Sequence, residues 1–194
     1  MTDANGAPEP VNPEQFKQGM RRLAAGVTIV TTEHEGERSG LTATAVTSLS
    51  AEPPQLLVCV NRTAAAHDLI VRGGRVAVNV LCHKHQRLAT RFAGLNGIFG
   101  PDRFDVGNWI RLKTGAPVLE DALAVFDCMV VERIEASTHT VFFCRVVDIR
   151  TRPKGKPLIY SSGAFARLEA VMPKPKRTVP RKPGTRIAKK PRTG

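Results

Sequence analysis

The sequence predicts a mainly β protein, a closed or nearly closed barrel with a few short helices. Two observations lead to this prediction. Strand-length runs of β-branched and apolar residues recur through most of the chain, and only short helical segments separate them. The regular alternation of strands and helices that a doubly wound fold requires is missing.

The first predicted element is a helix that begins at residue 13. Asn12 is a suitable N-cap, Pro13 suits the first helical position, and Gln15 lies three residues after the cap. Gly26 is predicted to end this helix. Residues 1–12 before it are polar and are expected to be disordered. The apolar residues at helical spacing are Phe16, Met20, Leu23 and Ala24.

After this helix the pattern changes to the two-residue period of strands. Two short helices are predicted between the strands, at 63–72 with Thr63 as the cap and at 83–92. A glycine-rich loop follows at 94–108. The predicted strands are 27–32, 40–48, 55–60, 76–81, 122–133, 140–150 and 158–161.

The net charge of +12 is unevenly distributed along the chain. No acidic residue follows Glu169, and the nine positive charges beyond it leave the rest of the chain only mildly basic. Residues 171–194 are rich in Pro, Lys and Arg and are expected to be disordered. Nucleic acid is therefore not expected as a partner except through this tail, since the body has one Trp and one Tyr.

The longest apolar runs have the length of strands, so no membrane partner is predicted. The polar N-terminus has no signal-peptide pattern, which predicts a cytoplasmic protein. The four cysteines form no Cys-x-x-Cys pair and are predicted to be buried, reduced thiols. The segment 82–85 has three potential metal ligands but no fourth at a familiar spacing, so no metal is predicted.

The segment 40–50 is unusual for a strand because it consists largely of small and hydroxylic residues. Small side chains allow a flat ligand to approach the backbone, and hydroxyl groups can bind its polar edge. The alternative is a strand packed tightly against a neighbour or a dimer partner. Composition leaves both interpretations open.

Asn61, Arg62 and Thr63 follow a buried strand and lead into a predicted helix. Such a helix start, with a hydroxyl and an arginine, is a natural phosphate site, although an ordinary helix cap has the same pattern. His139 lies at a bend between two strands, where histidines are commonly only solvated. No dinucleotide-binding glycine motif, P-loop or nucleophile elbow is present.

The ordered series of motifs resembles the flavin reductase-like, FMN-binding split-barrel family over residues 16–168. Within this family it is most similar to the reductase components of two-component aromatic monooxygenases, the 4-hydroxyphenylacetate 3-monooxygenase type. The reductase of pyrimidine catabolism is also similar. The matching runs lie at 25–32, 40–48, 53–54, 59–62, 78–81, 91–94, 103–104, 114–119, 138–139 and 158–160.

The resemblance implies a six-stranded antiparallel split β-barrel with Greek-key topology and short helices, spanning residues 13–170. It also implies a homodimer that uses NADH or NADPH to reduce FMN or FAD for a transiently bound flavin-dependent monooxygenase. His139 would lie beside the nicotinamide as the catalytic residue. Many relatives have Gly-Asp-His there, and this chain has Ser137-Thr138-His139, so an acidic residue does not carry over.

The resemblance implies three groups of flavin-binding residues. The first group lies along the isoalloxazine ring: Thr44, Ala45, Val46 and Ser48. The second group meets the ribityl chain and phosphate: Val60, Asn61, Arg62, Thr63 and Ala65. The third group closes the site: Arg91, Phe92 and Gly94. Two alternatives remain, a flavin-binding barrel without enzymatic activity and a nucleic-acid-binding protein that acts through the basic tail.

Overall fold

The computed structural model describes residue 6 and residues 8–169. The predicted tail at 171–194 lies outside the described residues, as do residues 1–5 and 7 of the predicted N-terminal segment. Among the described helices, none is both long and apolar enough to cross a membrane.

The described elements comprise three α-helices and twelve strands. The helices are α1 (Pro13–Met20), α2 (His67–Gly73) and α3 (Gln86–Phe92). The first six strands are β1 (Ala25–Gly26), β2 (Thr28–His34), β3 (Glu37–Ala43), β4 (Val46–Ala51), β5 (Pro54–Asn61) and β6 (Arg75–Val80). The other six are β7 (Trp109–Arg111), β8 (Pro117–Leu119), β9 (Ala124–Ala136), β10 (His139–Thr151), β11 (Leu158–Ser161) and β12 (Ala164–Arg167).

Seven of the strands form one antiparallel sheet in the order β3-β2-β6-β9-β10-β5-β4. Its two edge strands, β3 and β4, follow each other in the chain with only Thr44 and Ala45 between them. The sheet must therefore curl until its edges approach each other at this corner. The mainly β prediction is confirmed, but within the described residues no backbone ladder joins β3 to β4, so the sheet is not closed.

The prediction of a single strand at 40–48 is wrong at this corner. Residues up to Ala43 pair with β2, and residues from Val46 onward pair with β5 on the opposite edge. The chain has to change direction between the two ladders, and Thr44 and Ala45 make that change. The two-residue pattern of small side chains continues through the break, so it gives no signal for it.

Two buried clusters form the core on the two sides of the sheet. One contains Ile29 and Phe92, together with side chains from α3, the short 3₁₀ helix Gly100–Asp105 and β8. The other contains Val58 and Phe142, with residues of α2 and β6. Buried and less buried residues alternate along β5 and the first half of β10, so every second side chain there faces the second cluster.

The first helix begins as predicted, since Asn12 Oδ1 accepts a hydrogen bond of 2.9 Å from the backbone N–H of Gln15. It ends at Met20, and Gly26 belongs to β1, where it pairs with Ile159. No residue of α1 is buried. The apolar stripe of this helix therefore does not pack on the core.

The predicted helix at 63–72 begins later, at His67, with Ala66 at the N-cap position. Thr63 is therefore not its cap. The predicted loop at 94–108 contains the 3₁₀ helix Gly100–Asp105. The four short strands β1, β7, β8 and β12 were not predicted, because two to four residues are too few to show a two-residue period.

The four cysteines carry free thiols, as predicted. Cys82, Cys128 and Cys144 are buried, but Cys59 is only half-buried. Burial raises the pKa of the Cys144 thiol to about 12. Burial also raises the pKa of Cys128, with a further contribution from Cys144. These two thiols remain protonated at neutral pH and belong to the core.

Candidate functional site

The corner between β3 and β4 exposes a short stretch of backbone with small side chains. Thr44 and Ala45 are both exposed. The carbonyl of Ala45 accepts a hydrogen bond of 3.0 Å from the N–H of Cys59, which fixes the corner beside the last residues of β5. A flat ligand can approach the chain here because no large side chain covers it.

The end of β5 and the beginning of β10 lie next to this corner. Asn61 and His139 are directly opposite each other in the antiparallel ladder, and Val60 is opposite Thr140. Neighbouring strands are about 5 Å apart, so His139 lies about 10 Å from the corner across the sheet. Along the strands, Asn61 is two residues beyond Cys59, the residue bonded to Ala45. The fold thus brings together residues from three separate regions of the sequence: Thr44 and Ala45, Asn61, and His139.

The residues after Asn61 form a compact turn. The side-chain oxygen of Asn61 accepts hydrogen bonds of 2.9 Å from both the N–H and the hydroxyl of Thr63. The Arg62 guanidinium lies 3.6 Å from the Glu135 carboxylate, and both groups are exposed. Such a surface pair is weak, so an incoming anion can compete for the arginine. Ala65 is exposed on the same turn.

A polar cleft of about 640 Å³ opens beside this turn. Its walls come from the end of β5, from α2 and from the β9–β10 hairpin. The lining contains two arginines and two carboxylates, so its charges are nearly balanced. The lining residues are Asn61, Arg62, Thr63, His67, Asp68, Val71, Arg133, Glu135, Ser137, Thr138 and Thr140.

A second groove, of about 390 Å³, is largely apolar and includes the corner in its lining. Thr44 and Ala45 form one wall of it. The exposed side chains of Phe16 and Met20 on α1 and the ring of Tyr160 form much of the remainder. Phe16, Met20 and Tyr160 were not predicted as site residues. The apolar stripe of α1 was visible in the sequence, but its spacing does not say whether a helix faces the core or a groove.

The third predicted group lies at the end of α3, which is attached to β3 by a hydrogen bond of 2.7 Å from the Thr42 hydroxyl to the Ala89 carbonyl. Arg91 lies 3.8 Å from the Asp105 carboxylate and also donates to the carbonyl of Asp102. Gly94 has φ of +74°, and an added Cβ would lie 3.2 Å from the Arg103 side chain. Both residues therefore hold the loop after α3.

Four of the predicted flavin-binding residues lie away from the exposed corner. Val60 and Phe92 are 0% and 1% exposed, so their side chains do not form part of the open surface at the corner. Both pack in the core because they face inward on β5 and α3. Ser48 is exposed but lines a separate groove with Leu56 and Ile149. Val46, half-buried, packs against the second core cluster.

His139 is the first residue of β10 and is exposed. Its Nδ1 lies 2.9 Å from the hydroxyl of Thr138, so the threonine side chain can hold the ring in one orientation. A hydroxyl can orient an imidazole but does not add a negative charge. The side-chain partner of this exposed ring is therefore a hydroxyl and not a carboxylate.

The model of the flavin reductase like domain matches residues 20–169. The FMN reductase (NADH) RutF 1 of a Methylorubrum extorquens strain is 38% identical over 183 residues, covering 94% of this chain and 85% of the relative.

Two solved structures are also similar. BorF, the flavin reductase component of a bacterial two-component tryptophan halogenase, is 32% identical with a TM-score of 0.75, covering 82% of this chain and 99% of that chain. The NADH:FAD oxidoreductase SgcE6 of Streptomyces globisporus C-1027, solved with NAD and FAD fragments, is 30% identical with a TM-score of 0.75. That match covers 84% of this chain and 98% of the other. With the domain match spanning most of the sequence, this chain belongs to the flavin reductase-like domain family.

Proposed function

We propose that this protein transfers a hydride from NADH to FMN or FAD at the corner formed by β4, β5 and β10. The observation that carries the proposal is the pairing of Asn61 with His139 beside the exposed Thr44–Ala45 backbone. This arrangement puts a candidate phosphate turn, a surface for a flat ring and a histidine within one small area. The relatives are named as NADH-dependent FMN reductases and flavin reductase components.

The flavin is expected to lie along the corner with its phosphate on the turn at 61–65. Thr44 and Ala45 leave room for the isoalloxazine ring, and the apolar groove beside them suits its aromatic face. Arg62 supplies a positive charge that a surface carboxylate holds only weakly. The turn can therefore bind a phosphate through the Arg62 guanidinium and the polar side chains beside it. The charges involved are exposed, so binding does not require a buried charge to be neutralised.

When bound, the flavin accepts the hydride, so the chain itself needs no paired general acid and base. The task of the protein is to hold two rings at contact distance and in the correct orientation. His139 stands at the edge of the corner, where its ring can hydrogen-bond the carboxamide of NADH. Thr138 keeps that ring in one orientation.

The six-stranded split barrel is part of the same proposal. If β3 and β4 are counted as one strand bent at Thr44 and Ala45, six strand segments surround the interior: β2, β3–β4, β5, β6, β9 and β10. The bend would then have a function, because it opens the wall of the barrel where the flavin ring approaches. Residues 13–170 form the catalytic domain in this view.

We further propose that the protein acts in the cytoplasm and releases reduced flavin to a separate flavin-dependent monooxygenase. BorF is one component of a two-component halogenase, which illustrates this division of labour. Release requires that the protein bind reduced flavin with only modest affinity. An open corner with an exposed arginine suits exchange better than an enclosed cavity does.

The test of the proposed function is a spectroscopic assay. Purified protein is mixed with FMN or FAD and with NADH or NADPH, and the loss of nicotinamide absorbance is followed. We expect turnover with at least one flavin and faster turnover with NADH than with NADPH. Flavin binding without turnover for either nicotinamide would instead support a flavin-binding protein without enzymatic activity.

Replacing Ala45 with leucine is expected to raise the flavin KM at least about tenfold, because the larger side chain occupies the space of the ring. Steady-state kinetics with varied flavin measure the effect. Ala51→Leu, at the exposed far end of the adjoining strand β4, is the matched control and should leave this KM within about twofold. An unchanged KM in a folded Ala45→Leu variant would place the ring elsewhere.

The protein is expected to be a homodimer. Two apolar surfaces are available for an interface. One is the exposed side of α1, and the other is the outer face of the sheet, which carries the half-buried Leu57, Val141 and Phe143 and the exposed Ile134. A second copy that covered these side chains would bury a largely apolar surface. Light scattering at assay concentration should report about two chains per particle. A fully active monomer would contradict the prediction.

A further inference from the structure

We propose that His67 is a positioning residue that joins the phosphate turn to the strand carrying His139. The inference rests on the proposed function, since it assigns the flavin to the turn and NADH to the strand. His67 itself is buried and is expected to touch neither ligand. It would hold the two binding segments in a fixed relation.

The contact that carries the proposal is a hydrogen bond between distant parts of the chain. His67 follows the turn directly, as the first residue of α2. Its Nε2 lies 2.9 Å from the hydroxyl of Thr140, the residue immediately after His139. His67 is 8% exposed and Thr140 1%. Because both groups are buried, losing either partner leaves the other unsatisfied.

Besides the ladder pairing of Asn61 with His139, Arg62 attaches the turn to the β9–β10 hairpin. The N–H of Arg62 donates to the Thr138 carbonyl at 2.9 Å, and its guanidinium reaches the Ser137 carbonyl at 3.5 Å. If the flavin phosphate engages the guanidinium, the second contact weakens. The His67–Thr140 bond then remains as the buried side-chain link between the turn and β10.

The ring of His67 is held from two further directions. The carboxylate of Asp68 lies 2.8 Å from Nδ1, so this nitrogen donates to Asp68. In the neutral ring, Nε2 is then free to accept from the Thr140 hydroxyl. The ring also packs at a tilt on Phe142, with 5.8 Å between the centroids. The orientation of the imidazole is therefore defined without any ligand.

The functional consequence is coupling between the two binding steps. A flavin that orders the turn also orders Thr140 and the start of β10, which improves the placement of His139 for NADH. Coupling of this kind is reciprocal, so NADH would tighten flavin binding by the same factor. Replacing a residue that has only a structural role would lower the stability of the fold without changing the coupling between flavin binding and NADH binding.

The test uses Thr140→Val, which removes the hydroxyl and keeps the size and the backbone ladder. We expect the flavin and NADH KM values each to rise about three- to tenfold with kcat within about twofold. His67→Gln places an amide near the position of Nε2 and should recover most of what His67→Ala loses. The matched control is Thr32→Val, another buried threonine, whose hydroxyl donates to the Arg75 carbonyl at 2.8 Å.

Thr32→Val should lower the melting temperature but leave both KM values unchanged. The proposal is overturned if Thr140→Val behaves like this control. Flavin titration, followed by fluorescence with and without NAD⁺, separates this inference from the proposed function. A wild-type protein that binds flavin without oxidising NADH refutes the reductase. In that case, a loss of the NAD⁺ effect on flavin affinity in Thr140→Val still supports the coupling, and an unchanged effect refutes it.

Discussion

Replacing His139 with alanine is expected to lower kcat/KM for NADH by about 1–3 kcal/mol, a factor of roughly 5 to 150, with flavin affinity nearly unchanged. The reason is the position of the ring. It is exposed at the start of β10, opposite Asn61, and the Thr138 hydroxyl orients it. The flavin would be held mainly by other residues, so the loss should fall on the nicotinamide. Stopped-flow measurement of hydride transfer, with flavin titration, gives both quantities.

His34→Ala is a suitable control for this variant. His34 is half-buried at the far end of β2, about 20 Å along the strands from the corner, and should leave both constants unchanged. A histidine that merely caps the β9–β10 turn would lower the melting temperature on replacement without slowing hydride transfer. Such a result for His139→Ala would remove this residue from the site.

Replacing Phe92 with alanine is expected to destabilise the fold by about 3–5 kcal/mol, which corresponds to a fall of about 10 °C in melting temperature. The ring is 1% exposed and packs edge-on against Phe104, with 5.1 Å between the centroids. It also contacts Trp109 and lies directly against Gly40, where an added Cβ would be only 2.9 Å from it. A large cavity would remain between α3 and the sheet.

Phe92→Leu separates this core role from a role in flavin binding. Leucine fills most of the space, so the melting temperature should fall much less and the flavin KM should stay within about twofold. Calorimetry and flavin-dependent kinetics on the same preparation decide the question. If the flavin KM rose tenfold while the melting temperature hardly changed, the ring would be a flavin contact after all.

Local patterns predicted several elements well. The Asn12 cap and Pro13 place the start of α1 correctly, and the predicted strand 55–60 ends one residue before β5 does. The same kind of reasoning placed Thr63 at a helix cap, although its hydroxyl donates to Asn61 and the helix begins four residues later. A hydroxyl beside an asparagine suits a turn as well as a cap, so residue type alone does not decide between them.

The predicted site residues include some that lie at the corner and others that are buried in the core. The family resemblance named Thr44, Ala45, Asn61 and His139, which the fold gathers at one corner. It also included Val60 and Phe92, whose side chains are buried. A motif records which residue types occur together, and a core residue that supports a site appears in it beside one that touches a ligand.

The sequence by itself determined the mainly β class, the start of the first helix, the family and the small polar residues from which a flavin site could be made. Only the tertiary structure decided that Asn61 and His139 face each other and that the chain bends at Thr44 and Ala45. It also decided that His67 reaches Thr140. The physical reason is that cap and turn preferences act over a few residues. Strand pairing, by contrast, depends on contacts between distant segments and on how their side chains pack.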